Sequence, residues 1–165
     1  MLFTVYYYDN INMNRFFDIE GDLSTQLAPW ELVKMGKPIK MALFRLETAL
    51  RFHSDIAGGV IIVPQGYISD LASIPQVAWS VFMACDDPRI ELGAWVHDLL
   101  YQSRGKITLE DQTPVTLARK EADAILANEA MADLMATSAQ RLSVYQVLRR
   151  FGDQWEENSF WERFQ

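Results

Sequence analysis

The sequence predicts an α+β domain in which an N-terminal antiparallel β-sheet packs against a C-terminal set of about four helices. Three observations carry that expectation. Apolar residues Phe44, Leu46, Leu50 and Phe52 alternate with Arg45, Glu47, Ala49, Arg51 and His53, and a period of two puts one set on a buried face. From residue 74 onward the apolar spacing becomes helical. The 165 residues are 50% hydrophobic, enough for one domain with a substantial core. Strands first and helices afterwards is the α+β order.

The elements follow in turn. Residues 2–8 are rich in aromatic and β-branched types and read as a strand. Residues 10–40 read as irregular, with Asn, Asp, Gly and Pro as punctuation; Trp30 to Met35 fits a short helix or a strand equally. Residues 44–53 read as a strand, Ala57-Gly58-Gly59 as a turn and Val60 to Val63 as its partner strand. Pro64-Gln65-Gly66 breaks that strand, and Tyr67-Ile68-Ser69 continues into a short third one. Residues 74–85 read as a helix that Asp70 or Ser73 caps, with Pro75 tolerated in its first turn. Helices are expected over 89–102, 115–135 and 138–151, with a polar loop over 104–113 and Gly152 as a stop. A single domain over 1–152 and an aromatic tail over 153–165 are the expected organisation.

Composition excludes several function classes. The net charge is −7 and the pI about 4.8, with only Arg141, Arg149 and Arg150 forming a small basic cluster. No nucleic-acid partner is expected, because backbone phosphates need clustered Lys and Arg. The lone Cys85 excludes an intrachain disulfide and a cysteine zinc finger, and reads as a buried thiol. No apolar run reaches the length of a membrane span. The start, Met1 to Tyr8, lacks the basic residues and small-residue cleavage site of a signal peptide.

The chemistry concentrates in one stretch. Trp95-Val96-His97-Asp98-Leu99-Leu100-Tyr101 sets one of only two histidines beside a carboxylate in an apolar run. An ionisable pair there is costly unless partnered, and Tyr101 shares the helix face of His97. Asp70 and Asp123 are the partners on offer, so Asp70, His97, Asp98, Tyr101 and Asp123 form the candidate catalytic cluster. His97 would act as general base, oriented by Asp70 or Asp123, with Tyr101 as proton donor. No cofactor is expected. A divalent metal, if bound, would take Asp70, His97 and Asp123, a hard set suited to Mg²⁺ or Mn²⁺. His97 and Asp98 diverge by about 100° on a helix and do not readily share an ion. Gly-x-Ser-x-Gly, phosphate-loop and His-Glu-x-x-His motifs are absent.

The same residues also fit a purely structural account. His97 then donates to Asp70 or Asp123 as a buried strut, and Arg119 pairs with Asp123 four residues on. His53 falls on the polar face of its strand. Met131 and Met135, at helical spacing, read as core. Trp155, Phe160, Trp161 and Phe164, set among acidic residues, are the candidate partner-binding residues, since such rings anchor interfaces.

Three motifs in order, Val63-Pro64-x-Gly66-Tyr67-x-x-Asp70-Leu71-Ala72-Ser73-Ile74-Pro75, His97-Asp98-x-Leu100-Tyr101 and Arg119-x-x-Ala122-Asp123, resemble the DUF1353 family over about residues 43–152. The 104–114 loop looks like an insertion between the second and third motifs. The resemblance implies a tailed-bacteriophage or prophage protein made in the host bacterial cytoplasm. It implies no reaction. The leading expectation is a virion-associated structural or adaptor component of the tail or baseplate region, partnered by other phage proteins or by itself. A small hydrolase acting on cell-wall or nucleotide material through the His/Asp cluster is the alternative. A soluble inhibitor of a host defence factor is a third.

Overall fold

In the computed structural model, residues 14–17, 23–26, 30–34, 37–41, 43–69, 71 and 88–151 are described. The expectations for strand 2–8, helix 74–85, Asp70, Ser73, Cys85 and the 153–165 tail all lie outside them.

The alternating stretch over 44–53 divides into two strands. Strands β1 (Phe16–Phe17), β2 (Ser24–Gln26), β3 (Trp30–Lys34), β4 (Lys37–Met41), β5 (Phe44–Leu46), β6 (Leu50–Ser54), β7 (Gly59–Val63) and β8 (Ile68–Ser69) build the first part. A bend over residues 47–48 separates β5 from β6 and sends them into different sheets. One sheet has the order β1-β6-β7 and another β2-β5-β8, both antiparallel. The alternation still marks the inward face: Leu46, Leu50 and Phe52 are fully buried, while Phe44 is half-buried against the core. A period of two survives a bend that leaves the register of facing intact, so the pattern reveals burial and hides the break.

The β6–β7 hairpin pairs Leu50 with Val63 and Phe52 with Ile61. Its turn includes Gly58 at φ +78°, where a side chain would be strained. Trp30–Lys34 resolves as a strand paired with β4, and with β1 and β2 it replaces the irregular reading of 10–40. Strands β1 and β2 are only two and three residues long and pair with β6 and β5 well along the chain, which leaves little local signal.

Three helical bodies are described in the second part, against about four expected. The first, α1 (Pro88–Gln102), is buried over most of its circumference: Ile90, Leu92, Ala94, Trp95, Val96 and Leu100 are all buried, as a central helix requires. The expected polar loop after it is a hairpin of β9 (Lys106–Thr108) and β10 (Pro114–Thr116). Consequently the helix expected from 115 begins later, as α2 (Arg119–Ala124). Glu121 opens it by accepting the Ala118 N–H at 2.7 Å. The chain then widens into a π-helix over Ile125–Ala130 and ends as α3 (Met131–Asp133).

Gly93 of α1 lets the π-helix come close. A Cβ there would stand 2.7 Å from Leu126 Cδ1 and 2.9 Å from Ala130 Cβ. Met131 is buried as expected, but Met135 is 72% exposed. The helix has already stopped, and Met135 takes a left-handed turn with φ +65°, so helical spacing no longer applies to it. Thr137 and Gln140 form a capping box at the start of α4 (Ser138–Phe151): Gln140 accepts the Thr137 N–H at 2.9 Å and donates its own N–H back to Thr137 Oγ1 at 3.3 Å. Among the described residues, no helix is long and apolar enough to cross a membrane.

Candidate functional site

Two consecutive residues of α1 serve two separate networks. His97 and Asp98 are both fully buried, and their helical divergence aims them at different neighbours. His97 faces α2. Its Nε2 lies 3.1 Å from Asp123 Oδ1, and Tyr101, one turn on, donates its hydroxyl to the same oxygen at 2.5 Å. The two rings stack loosely, centroids 4.2 Å apart. Asp98 turns instead toward the β8 end, where Ser69 Oγ hydrogen-bonds to its Oδ2. That hydroxyl also accepts the Leu71 N–H at 2.9 Å, bracing a residue held at φ +52°.

Two arginines complete the His97 network. Arg149 of α4 donates to Asp123 Oδ2 at 2.8 Å. Arg119 lies along α2 with its Nε 3.3 Å from the Tyr101 hydroxyl and 3.9 Å from Asp123 Oδ2, the i,i+4 pairing expected from the sequence. Its Nη2 donates to the Leu148 carbonyl at 2.7 Å and the Arg149 carbonyl at 3.2 Å, which sit in the last turn of α4. Carbonyls there lack helical partners and gather the negative end of the dipole, so an arginine suits them. The cluster thus ties α1, α2 and α4 together.

Electrostatics follow from this geometry. Burial would raise the Asp123 carboxyl, but hydrogen bonds from His97, Tyr101 and Arg149 outweigh it and hold the group ionised below its ordinary range. The Arg149 guanidinium beside it is raised in turn. Burial dominates at His97 and lowers its pKa despite the carboxylate, so the ring is neutral. An ionised carboxylate only accepts, so His97 Nε2 carries the proton and Nδ1 the lone pair. Nδ1 is buried and has no hydrogen-bond partner. Burial, then the bond to Asp123, pushes the Tyr101 hydroxyl up, keeping it a donor at neutral pH.

Of the residues singled out in the sequence, His97, Tyr101 and Asp123 converge, Asp98 belongs to the Ser69 pair, and Asp70 and the four tail aromatics lie outside the described residues. Among the described residues no group of three or more His, Cys, Asp or Glu side chains is placed to hold a metal ion. Both Asp123 oxygens already face donors, one of them the Arg149 cation.

Sequence reasoning missed Arg149 and Ser69 as partners, because nothing at a separation of 26 or 29 residues marks a contact. It also missed a second network around Glu129 in the π-helix. Glu129 accepts from Ser54 Oγ at 2.6 Å and from the Asp55 and Ile56 N–H groups at 3.0 and 3.1 Å. Arg15 stands 3.6 Å away, and Asp133 takes the Asn14 and Arg15 N–H groups at 2.9 Å each. A glutamate in a long helical pattern carries no sign that it faces inward.

No curated protein and no solved structure matches this chain. One family model does, over residues 44–147, which takes in β5 to most of α4 and every described member of the His97 cluster except Arg149. The match spans more than half of the sequence, and the chain therefore belongs to the DUF1353 family, described as a protein of unknown function.

Proposed function

We propose that this protein is a structural or adaptor component, virion-associated in the tail or baseplate region of a bacteriophage, and that the His97 cluster is an internal strut. One observation carries the strut. His97 and Asp123 have no exposed surface, and each Asp123 oxygen is occupied by donors of the chain itself. A general base must reach its substrate, whereas a satisfied buried network specifies packing. The phage setting comes from the family resemblance of the three motifs, and the acidic aromatic tail supplies the docking element. A hydrolase is the second reading, favoured by His97 Nδ1: a neutral imidazole oriented by a carboxylate, with its other nitrogen unpartnered, has the parts of a base. His97→Ala separates the two. The strut reading expects a melting loss of roughly 1–3 kcal/mol and no hydrolytic activity to lose. A variant that melts normally while a wild-type ester, amide or phosphoester activity disappears would establish the enzyme. Mass spectrometry of purified particles tests the virion assignment directly.

A further inference from the structure

We infer that strand β3 pairs antiparallel with β3 of a second copy of this chain, joining two β3–β4 hairpins into one four-stranded sheet. The pairing rests on the adaptor reading above and deepens it by naming the chain itself as the partner. Among the described residues β3 pairs with β4 and with no other strand, and the two form a sheet of their own. A hairpin of two strands is marginal in water, and a third strand is what makes such a unit hold. This hairpin also sets Lys34 directly opposite Lys37, a like-charge pair that weakens it further.

Pro38 decides which edge of the hairpin is open. Proline has no N–H to give, so it sits in a ladder only where that position faces away from the partner strand. The outer edge of β4 therefore lacks a donor at Pro38, which guards it against strand addition. Hydrogen-bonded and non-hydrogen-bonded pairs alternate along an antiparallel ladder. The Val33–Pro38 and Glu31–Lys40 pairs are thus of the second kind, and the main-chain N–H and C=O groups of Glu31 and Val33 face outward from β3. That edge is its own complement. Two copies of Trp30–Lys34 laid antiparallel about Leu32 set Glu31 opposite Val33 twice, each pair exchanging both main-chain bonds. The same register sets Leu32 opposite Leu32, and at both ends Trp30 opposite Lys34, an indole and an ammonium, which attract. A five-residue strand centred on an apolar residue closes on itself about a two-fold axis, the isologous contact of a dimer.

Analytical ultracentrifugation of the full chain, 19.0 kDa per copy, should show a dimer. Val33→Pro removes an outward donor while sparing the bonds to β4, as Pro38 opposite it does, and should give a monomer with unchanged circular dichroism. Cysteine trapping reads the register and does not depend on that variant folding. In a Cys85→Ser background, Leu32→Cys should form a disulfide-linked dimer under mild oxidation. Residue 32 faces its own copy at about 4.5 Å between Cα atoms, within the roughly 4.4–6.8 Å that a disulfide spans. Lys34→Cys should not cross-link, since four residues of strand, about 13 Å, separate it from its copy. A full chain that sediments as a monomer overturns the inference, and is the result expected if another segment of the same chain, such as residues 2–8, fills the edge. A dimer that survives Val33→Pro, or cross-linking at 34 as readily as at 32, overturns it as well. The adaptor reading is judged separately, by whether purified particles contain the protein.

Discussion

Protonation of His97 gives the buried network a measurable signature. The folded ring is held neutral, its pKa lowered from the ordinary 6.5 first by burial. In the unfolded chain it titrates normally. Between the folded and unfolded values the unfolded state binds the extra proton, so stability falls as pH drops from 6.5 toward the folded pKa, and it is fully present above 6.5. Each pH unit over which the unfolded ring is charged and the folded one neutral costs about 1.4 kcal/mol. The carboxylates lowered by their partners add nothing in this window. Asp123 is lowered from 3.8 and Glu47 from 4.5, so their share is lost only at more acidic pH. The other histidine, His53, stands at the surface. Urea unfolding followed by tryptophan fluorescence at pH 7.5, 6.5 and 5.5, for the wild type and for His97→Gln, measures it. The variant should be less stable throughout and lack the slope. Equal slopes would mean that the folded ring titrates at its ordinary value, that water reaches it, and that the argument from closure is wrong.

Other perturbations read other parts of the fold. Asp123→Ala strands the His97 donor and two arginines and should cost about 3 kcal/mol or more by chemical denaturation. Gly93→Ala forces its new methyl onto Leu126 Cδ1 and Ala130 Cβ; the leucine tip can turn aside but the alanine Cβ cannot, so a loss of about 1–3 kcal/mol is expected by calorimetry. Glu129→Gln keeps the shape but weakens the bonds to Ser54, Asp55 and Ile56, and should cost about 1–2 kcal/mol, with faster amide exchange confined to the β6–β7 turn.

What the sequence reveals here is local periodicity and local cost. The inward set Leu46, Leu50 and Phe52 is legible because alternation survives the bend at 47–48. Helix α1 is legible because a mostly apolar run of fifteen residues is too long for a single strand. The hairpin β9–β10 is not, since its residues are mostly exposed and polar and its strands three residues each. The π-helix is equally hidden: Ile125 to Ala130 has ordinary helix formers, and nothing in their spacing marks the wider turn. His97 and Tyr101 announced their need for a partner, and Asp123 was within the candidates. Arg149 was visible only as part of a basic cluster, because its role depends on where α4 crosses α2.

The pairing of His97 with Asp98 has a mechanical consequence. Two adjacent buried polar residues on one apolar helix are costly twice over, and each is compensated by a different half of the molecule. Asp98 holds Ser69, and through it the Leu71 turn, at the end of the β5–β8 pair. His97 holds Asp123, and through it the ends of α2 and α4. Helix α1 is therefore bolted to sheet and helices at neighbouring positions, and a one-residue slip of its register would move one of the two polar residues into the other's place and bring apolar Val96 or Leu99 to the remaining one. Apolar residues surround both positions, and apolar packing alone discriminates poorly between neighbouring registers. Hydrogen-bonding groups of opposite requirement do so sharply, since misplacing either leaves a buried acceptor or donor unmet.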